Sequence, residues 1–91
     1  MRFEWNSTKA QLNFSKHGIS FEEASTIFGD PLSITSPDPD HSEEEARWIS
    51  IGVSTNFKTI VVVHTDRAET LRIISARLAT KRERECYEAG I

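Results

Sequence analysis

Three consecutive strand-like segments occupy residues 47–78 and constrain the fold more than any other feature of the sequence. In the first, RWISIGVS, Ile49, Ile51 and Val53 alternate with other residues, which predicts a strand with those three side chains on its buried face. The second, TIVVVHT, is apolar without alternation and predicts a central strand covered on both faces. The third is TLRIISAR. Three successive strands between helices indicate an antiparallel sheet in an α+β fold.

Capping signals predict helices on both sides of these strands. Asn6 is a suitable N-terminal cap for the first helix, and Gly18 is a suitable stop after it. Ser20 and Thr80 are each followed three residues later by glutamate, the spacing of a capping box, so each predicts a helix start. The predicted helices cover residues 7–16, 21–28 and 81–89.

A short opening strand in MRFEW completes the predicted order β-α-α-β-β-β-α, with a possible extra strand at PLSIT. The length of 91 residues suits one compact core, so residues 1–91 are expected to form a single domain. No apolar run approaches the ~20 residues needed to span a bilayer. The N-terminus lacks a signal-peptide pattern, and the single cysteine, Cys86, cannot form an internal disulfide. These features predict a soluble cytoplasmic protein with no membrane partner.

The charge of the chain is segregated along the sequence. The formal net charge is −3, yet residues 22–45 contain eight acidic residues and no lysine or arginine. The remaining residues therefore hold all 11 basic residues against six acidic ones (14 − 8), a balance of +5. Because a local basic surface matters more to a phosphate backbone than the total charge, nucleic acid stays among the possible ligands.

Arginines mark the last predicted strand and the helix after it. Arg72 and Arg77 lie at the middle and the end of that strand, and a guanidinium suits phosphate because its planar fork of donors stays charged. The alternative is a surface ion pair with a nearby glutamate. Lys81 and Arg82 fall in the first helical turn, where cations gain nothing from the helix dipole, although a solvated face of mixed charge is the simpler interpretation.

Histidines are the other candidates for chemistry. His17 closes the first helix and is either a charge at that terminus or a general acid or base. His41 lies in the acidic loop, and His64 ends the central strand, where a packed structural role is the main alternative to catalysis. The acidic loop also offers hard ligands for a metal ion, but its spacing matches no calcium loop, and a solvated surface loop is the favoured interpretation. Its candidate ligands are Asp38, Asp40, His41 and Glu43.

Three segments together resemble a known family, the BrnT toxins. They are KHGISFEEA at 16–24, DPDHSEEEARW at 38–48 and RIISARLATKRERECYE at 72–88. BrnT proteins are ribonuclease toxins of type II toxin–antitoxin pairs with a RelE-like fold. Their BrnA antitoxins carry a ribbon-helix-helix DNA-binding domain. The resemblance implies a RelE-like α+β fold, RNA cleavage that inhibits translation without metal or other cofactor, and indirect contact with operator DNA through the antitoxin.

The resemblance also implies roles for particular residues. Metal-free cleavage by the RNA's own 2′-hydroxyl needs a base, an acid and cations that stabilise the charge on phosphorus. Arg72 and Arg77 are the candidate cations, and His17, His41 or Glu83 the candidates for proton transfer. Arg47 and Trp48 would add a phosphate contact and a stacking surface, although Trp48 is equally well interpreted as a hydrophobic anchor. The expected RNA-binding residues are Lys16, Arg47, Trp48, Arg67, Lys81 and Arg82.

Two further functions compete with the nuclease. One is a non-catalytic module that holds a ribbon-helix-helix antitoxin and helps it repress DNA. The other is a plain structural or interaction protein.

Overall fold

The computed structural model describes residues 1–38 and 46–90. One five-stranded sheet contains β1 (Arg2–Glu4), β2 (Ile34–Pro37), β3 (Trp48–Val53), β4 (Thr59–Arg67) and β5 (Thr70–Leu78) in the order β1-β5-β4-β3-β2. The helices are α1 (Ser7–His17), α2 (Phe21–Ser25), a short 3₁₀ helix (Thr26–Gly29) and α3 (Lys81–Ala89). The α+β class is confirmed. Strands β2 to β5 pair antiparallel as predicted, and β1 pairs parallel with β5, so the whole sheet is mixed.

The predicted caps are present. The Asn6 side chain accepts a hydrogen bond from the Lys9 amide, and Gly18 ends α1 at φ +71°. Thr80 and Glu83 form the capping box of α3. Ser20 caps α2 as predicted, but the Glu23 carboxylate accepts a hydrogen bond from the Ser54 hydroxyl, 2.8 Å away on the strand side.

Helices α1 and α2 cover one side of the sheet, which we call the helix face. The core there joins Ile19, Phe21, Ala24 and Ile27 to Ile60, Val62, Leu71, Ile73 and Ala76. We call the opposite side the arginine face. By strand register it carries Ile49, Ile51, Val61, Val63, Thr65, Arg72, Ser75 and Arg77.

The predicted orientation of β3 was wrong. Ser50 and Gly52 are the buried residues of this strand, whereas Ile49, Ile51 and Val53 are only half-buried on the arginine face. The reason is a close approach between backbones. A Cβ at Gly52 would lie 3.0 Å from the Cβ of Ile27, so a small residue is required where the 3₁₀ helix meets the strand.

Helix α3 is attached by polar contacts and has no buried residue. At its start Glu83 pairs with Arg77, and at its end the Tyr87 hydroxyl donates to an Asp30 carboxylate oxygen 2.5 Å away. No helix in the described part of the chain is long and apolar enough to cross a membrane.

Candidate nucleic-acid interface

A β-bulge brings Arg72 and Arg77 to the same face of the sheet. The two arginines are five residues apart, and in a regular strand an odd separation places side chains on opposite faces. On β4, the adjacent residues Val63 and His64 pair with Ser75 and Ile73, which leaves Ile74 as an extra residue in β5. Arg72 and Arg77 therefore both project from the arginine face.

The two guanidinium groups are directed toward different ends of that face. Arg77 reaches α3, whereas Arg72 lies 3.8 Å from the carboxylate of Glu4 on β1. The strand rises ~3.3 Å per residue, so their Cα atoms are roughly 15 Å apart. The arrangement suits two different phosphates of an extended chain better than one phosphate held by both arginines.

Arg77 forms a two-point ion pair with Glu83. Its Nη1 donates to Oε1 at 2.7 Å and its Nη2 to Oε2 at 2.9 Å, and the Thr80 amide donates to the same carboxylate at 2.8 Å. The Arg77 hydrogen bonds, with that of Thr80, lower the pKa of Glu83 from 4.5 to about 2. A carboxylate this acidic is a weak base and is ionised at neutral pH, so the pair suits Glu83 to positioning Arg77 rather than to proton transfer.

Arg72 is held more loosely. Glu4 lies 3.8 Å from both Arg72 and Arg67, and the side chains of these two arginines are 33% and 50% exposed. Such long, exposed contacts contribute little to stability. The Arg72 guanidinium can therefore turn toward a ligand at little energetic cost.

His17 and Lys16 line a groove at the free edge of β5. The groove has a volume of about 240 Å³, and its wall includes Ile74 and Ser75, the residues at the bulge. Because Ser75 also lies on the arginine face, the end of α1 borders the same surface as Arg72 and Arg77. His17 is half-buried, and the groove leaves it accessible from solvent.

Asn13 fixes this edge and was missed in the sequence. Beyond β1, no strand among the described residues pairs with this edge of β5, and the Asn13 side chain bonds to it instead: Nδ2 donates to the Ala76 carbonyl at 2.8 Å and Oδ1 accepts from the Ala76 amide at 3.1 Å. Nδ2 also donates to the carbonyl of Ile19. The available signal was a polar residue three positions after Ala10 and four before His17, on the inward stripe of α1.

The other predicted RNA-binding residues are more dispersed. Lys81 and Arg82 are exposed in the first turn of α3, close to Arg77. Trp48 pairs with His64 in the register and so lies on the side of the helix face, away from the two arginines. Arg47 is half-buried, and its carbonyl accepts from the Asp38 amide at 2.9 Å.

Three of the four candidate metal ligands of the acidic loop are not among the described residues. His41, Asp40 and Glu43 lie outside the described residues. Within residues 1–38 and 46–90, no three histidine, cysteine, aspartate or glutamate side chains converge on a possible metal position.

His64 belongs to a polar chain that runs from the core to the surface, in which His64 and Ser50 are buried and Thr35 and Asp66 are exposed. Its Nε2 lies 2.8 Å from the Ser50 hydroxyl and its Nδ1 2.9 Å from Asp66, while the Thr35 hydroxyl lies 2.7 Å from that of Ser50. The residue types are those of a serine hydrolase triad, but Ser50 is fully buried and no substrate reaches it. Burial lowers the pKa of His64 despite the neighbouring carboxylate. The chain is structural and satisfies polar groups inside the core.

Comparison with known proteins relates the chain as a whole to ribonuclease toxins. A family model described as the ribonuclease toxin BrnT of type II toxin–antitoxin systems matches residues 5–83. Among solved structures, the 1.1 Å crystal structure of the Brucella abortus ribonuclease toxin BrnT is similar, with a TM-score of 0.65 and 25% sequence identity. The similarity covers 89% of this chain and 99% of that one. No curated protein sequence matches significantly.

Proposed function

We propose that this chain, which belongs to the BrnT family of ribonuclease toxins of type II toxin–antitoxin systems, is an endoribonuclease that cleaves RNA on the arginine face of its sheet without a metal ion. The observation that carries the proposal is the bulge at Ile74. It aligns Arg72 and Arg77 on one surface, and the residues at the bulge, Ile74 and Ser75, line the groove that contains His17.

The proposed reaction uses the RNA's own 2′-hydroxyl as nucleophile. A base removes its proton, the 2′-oxygen bonds to the adjacent phosphorus, and the bond from phosphorus to the 5′-oxygen breaks. An acid protonates that 5′-oxygen, which leaves a 2′,3′-cyclic phosphate and a free 5′-hydroxyl. We assign proton transfer to His17, because histidine is the most common general acid or base in enzymes and this one lies in a groove at the edge of the sheet. His41 stays a candidate for the second proton transfer.

We assign charge stabilisation and phosphate binding to the arginines and lysines. Arg77, held by Glu83, stabilises the negative charge that develops on the phosphate oxygens, because a preorganised donor needs no reorganisation during the reaction. Arg72 and Arg67 hold phosphates toward the β1 end of the same face. Lys16 at the groove and Lys81 at α3 add positive charge at its two borders.

The proposed partner is a BrnA-like ribbon-helix-helix antitoxin. Membership of a type II toxin family implies an antitoxin, and the exposed cations of α3 favour a partner with an acidic or apolar surface. The antitoxin would carry the contact with operator DNA, and the two proteins would meet in the cytoplasm, where cleavage of RNA inhibits translation. Co-expression with the adjacent open reading frame should give a stable complex; recovery of the toxin alone would contradict this partner.

Cleavage in the presence of a chelator tests the activity. Purified protein with excess EDTA should cut a single-stranded RNA and leave a 2′,3′-cyclic phosphate, which phosphatase treatment and mass spectrometry identify. His17→Ala should lower the rate by about 10²-fold or more, the usual contribution of a general acid or base, with an unchanged melting temperature. Loss of cleavage in EDTA that Mg²⁺ restores would overturn the metal-free mechanism.

One observation favours a non-catalytic module that pairs with the antitoxin and helps to repress the operon. Both Nη atoms of Arg77 are occupied by Glu83, as in a structural ion pair. Under that alternative the wild-type protein binds the antitoxin and expression neither arrests growth nor degrades RNA.

A further inference from the structure

Phe57 occupies a position that normally belongs to glycine. It lies in the turn between β3 and β4, where its amide donates to the Ser54 carbonyl at 2.9 Å and the Ser54 amide donates to the Lys58 carbonyl at 2.8 Å. This is a three-residue hairpin loop closed by a left-handed residue, and Phe57 has φ +63°. Glycine or asparagine adopts that conformation with less strain than phenylalanine.

The fold gains little from this ring. Phe57 is 91% exposed, the highest value among the exposed large hydrophobic residues of the described chain. The strained backbone conformation opposes folding, and a side chain that stays in water contributes no burial energy to offset it. Strain of this kind persists where the surroundings fix it and often marks a position with a function.

The turn is held rigidly by its neighbours. The Ser54 hydroxyl accepts hydrogen bonds from the amides of Asn56 and Lys58, both at 3.3 Å, and donates to Glu23 on α2 at 2.8 Å. The Thr55 amide donates to the Thr26 hydroxyl at 3.1 Å. Phe57 is therefore presented to solvent from a fixed position rather than from a loose loop.

The turn lies at the same end of the sheet as Arg77 and the start of α3. The Ala79 amide donates to the Thr59 carbonyl at 3.0 Å, and Val61, four residues after Phe57, pairs with Arg77. Along the strand this separation is about 13 Å, one or two nucleotides of an extended chain. Three exposed cations lie near this end, and with Phe57 they form what we call the Phe57 patch: Phe57, Lys58, Lys81 and Arg82.

We infer that the Phe57 patch binds an unpaired nucleotide of the RNA beside the cleavage site, with the ring stacked on the base and the cations on its phosphates. The inference rests on the proposed function, because it continues the RNA path from Arg77 around the end of the sheet to the turn. Aromatic rings beside positive charge are the combination that single-stranded nucleic acid requires. Within the turn, residues 54–58, Lys58 is the only charged residue. The two carboxylates beside the turn are already engaged: Glu23 accepts a hydrogen bond from the Ser54 hydroxyl, and Asp30 accepts from the Val53 amide and the Tyr87 hydroxyl.

Binding of a non-cleavable oligonucleotide tests the inference independently of catalysis. The probe is a fluorescein-labelled, mixed-sequence, single-stranded 2′-O-methyl RNA, measured by anisotropy with the wild type, Phe57→Asn and Phe57→Tyr. Phe57→Asn should weaken binding about tenfold or more, the effect of losing one stacked base, whereas Phe57→Tyr should bind as the wild type. Because asparagine tolerates positive φ, the melting temperature of Phe57→Asn should be unchanged or higher. Leu32→Asn, which removes another exposed apolar side chain, is the matched control and should leave the affinity unchanged.

Three results would overturn the inference. Wild-type affinity in Phe57→Asn removes Phe57 from the RNA path. Weaker binding of the antitoxin without weaker binding of RNA assigns the ring to a protein partner instead. An equal loss with a fully paired duplex excludes stacking on an exposed base. If the wild type binds the probe but does not cut unmodified RNA, the proposed nuclease fails and the binding comparison still decides the role of Phe57.

Discussion

Arg77 and Glu83 hold each other through two parallel hydrogen bonds of 2.7 and 2.9 Å. We predict that Arg77→Ala lowers the cleavage rate by about 10²-fold or more, the effect of removing a preorganised charge from the reaction. Arg77→Lys should restore little, because an ammonium cannot reproduce the two-point geometry. Rates and melting temperatures are measured on the same preparations. Activity that falls only in proportion to the unfolded fraction would assign Arg77 a structural role.

Glu83→Gln breaks the ion pair while keeping Arg77, and the stability that it costs should depend on pH. The folded pKa of Glu83 is about 2 against an ordinary value of 4.5, so the carboxylate stabilises the fold above pH 4.5 and loses that effect as the pH falls toward 2. The stability difference between wild type and Glu83→Gln should be present at pH 7 and shrink over that interval. Urea denaturation at several pH values measures it, and a difference that is constant with pH contradicts the prediction.

His64 should make the protein sensitive to mild acid. Its folded pKa lies below 6.5 because burial disfavours the charged imidazole, so the unfolded state takes up the proton more readily. Stability should be complete above pH 6.5 and decline as the pH falls below it. We predict a smaller decline in His64→Gln, measured by thermal melting between pH 7 and pH 5. Equal pH slopes in the two proteins would exclude His64 as the source.

Asn13 should contribute more to stability than its polar character suggests. Replacing it with alanine removes three hydrogen bonds and leaves the backbone groups of Ala76 buried without a partner. We expect a loss of about 2–4 kcal/mol in the free energy of unfolding. Asn6→Ala, which removes an exposed helix cap, is the control and should lose only about 1 kcal/mol. Similar losses from the two variants would show that the Asn13 contacts are weak.

Gly52 should tolerate no larger residue. An added methyl group would meet the Ile27 Cβ at 3.0 Å, the Ile27 carbonyl oxygen at 3.1 Å and the Ser33 Cβ at 3.2 Å. Gly52→Ala should therefore destabilise the protein by about 1–3 kcal/mol through overpacking. Gly29→Ala provides the comparison, because nothing lies within 4 Å of the added Cβ there. A neutral effect of Gly52→Ala in chemical denaturation would mean that the 3₁₀ helix moves aside without loss.

Tyr87 is the chain's only tyrosine, so its titration can be followed directly. The hydrogen bond to the Asp30 carboxylate raises its pKa to about 12. The phenol should stay mostly protonated near pH ~11, where an ordinary tyrosine is mostly ionised. Ultraviolet absorbance measures this, and Asp30→Asn should bring the titration back toward the ordinary value. A wild-type titration near pH 10 would show that the contact is absent in solution.

The helix starts were predictable from neighbouring residues in the sequence. The buried side of β3 and the pairing of β1 were not, because contacts between distant residues determine them. The caps at Asn6, Ser20 and Thr80 are encoded within a few residues, and all three were confirmed. The buried side of β3 was not predictable from alternation, because the close approach of Ile27 to Gly52 overrides it. The parallel pairing of β1 likewise joins segments almost 70 residues apart, for which the sequence carries no local signal.

In the candidate nucleic-acid interface, too, residue types were predictable from the sequence and their spatial arrangement was not. The arginines of β5 and the histidine of α1 were identified from residue type, but nothing in the residues indicates the bulge that aligns them. Asn13 reads as an ordinary polar helix residue until the missing neighbour of β5 is known. Phe57 reads as part of a turn until its backbone conformation and exposure are seen.

The bulge at Ile74 also means that β5 can absorb a change in length. A chain with one residue fewer at this point could form a regular strand and still display both arginines on one side, four residues apart instead of five. An insertion or deletion at this point can therefore change the number of residues between Arg72 and Arg77 while both side chains stay on the arginine face. In an alignment of relatives, the two arginines should be matched to each other, and any difference in length should be placed as a gap at Ile74.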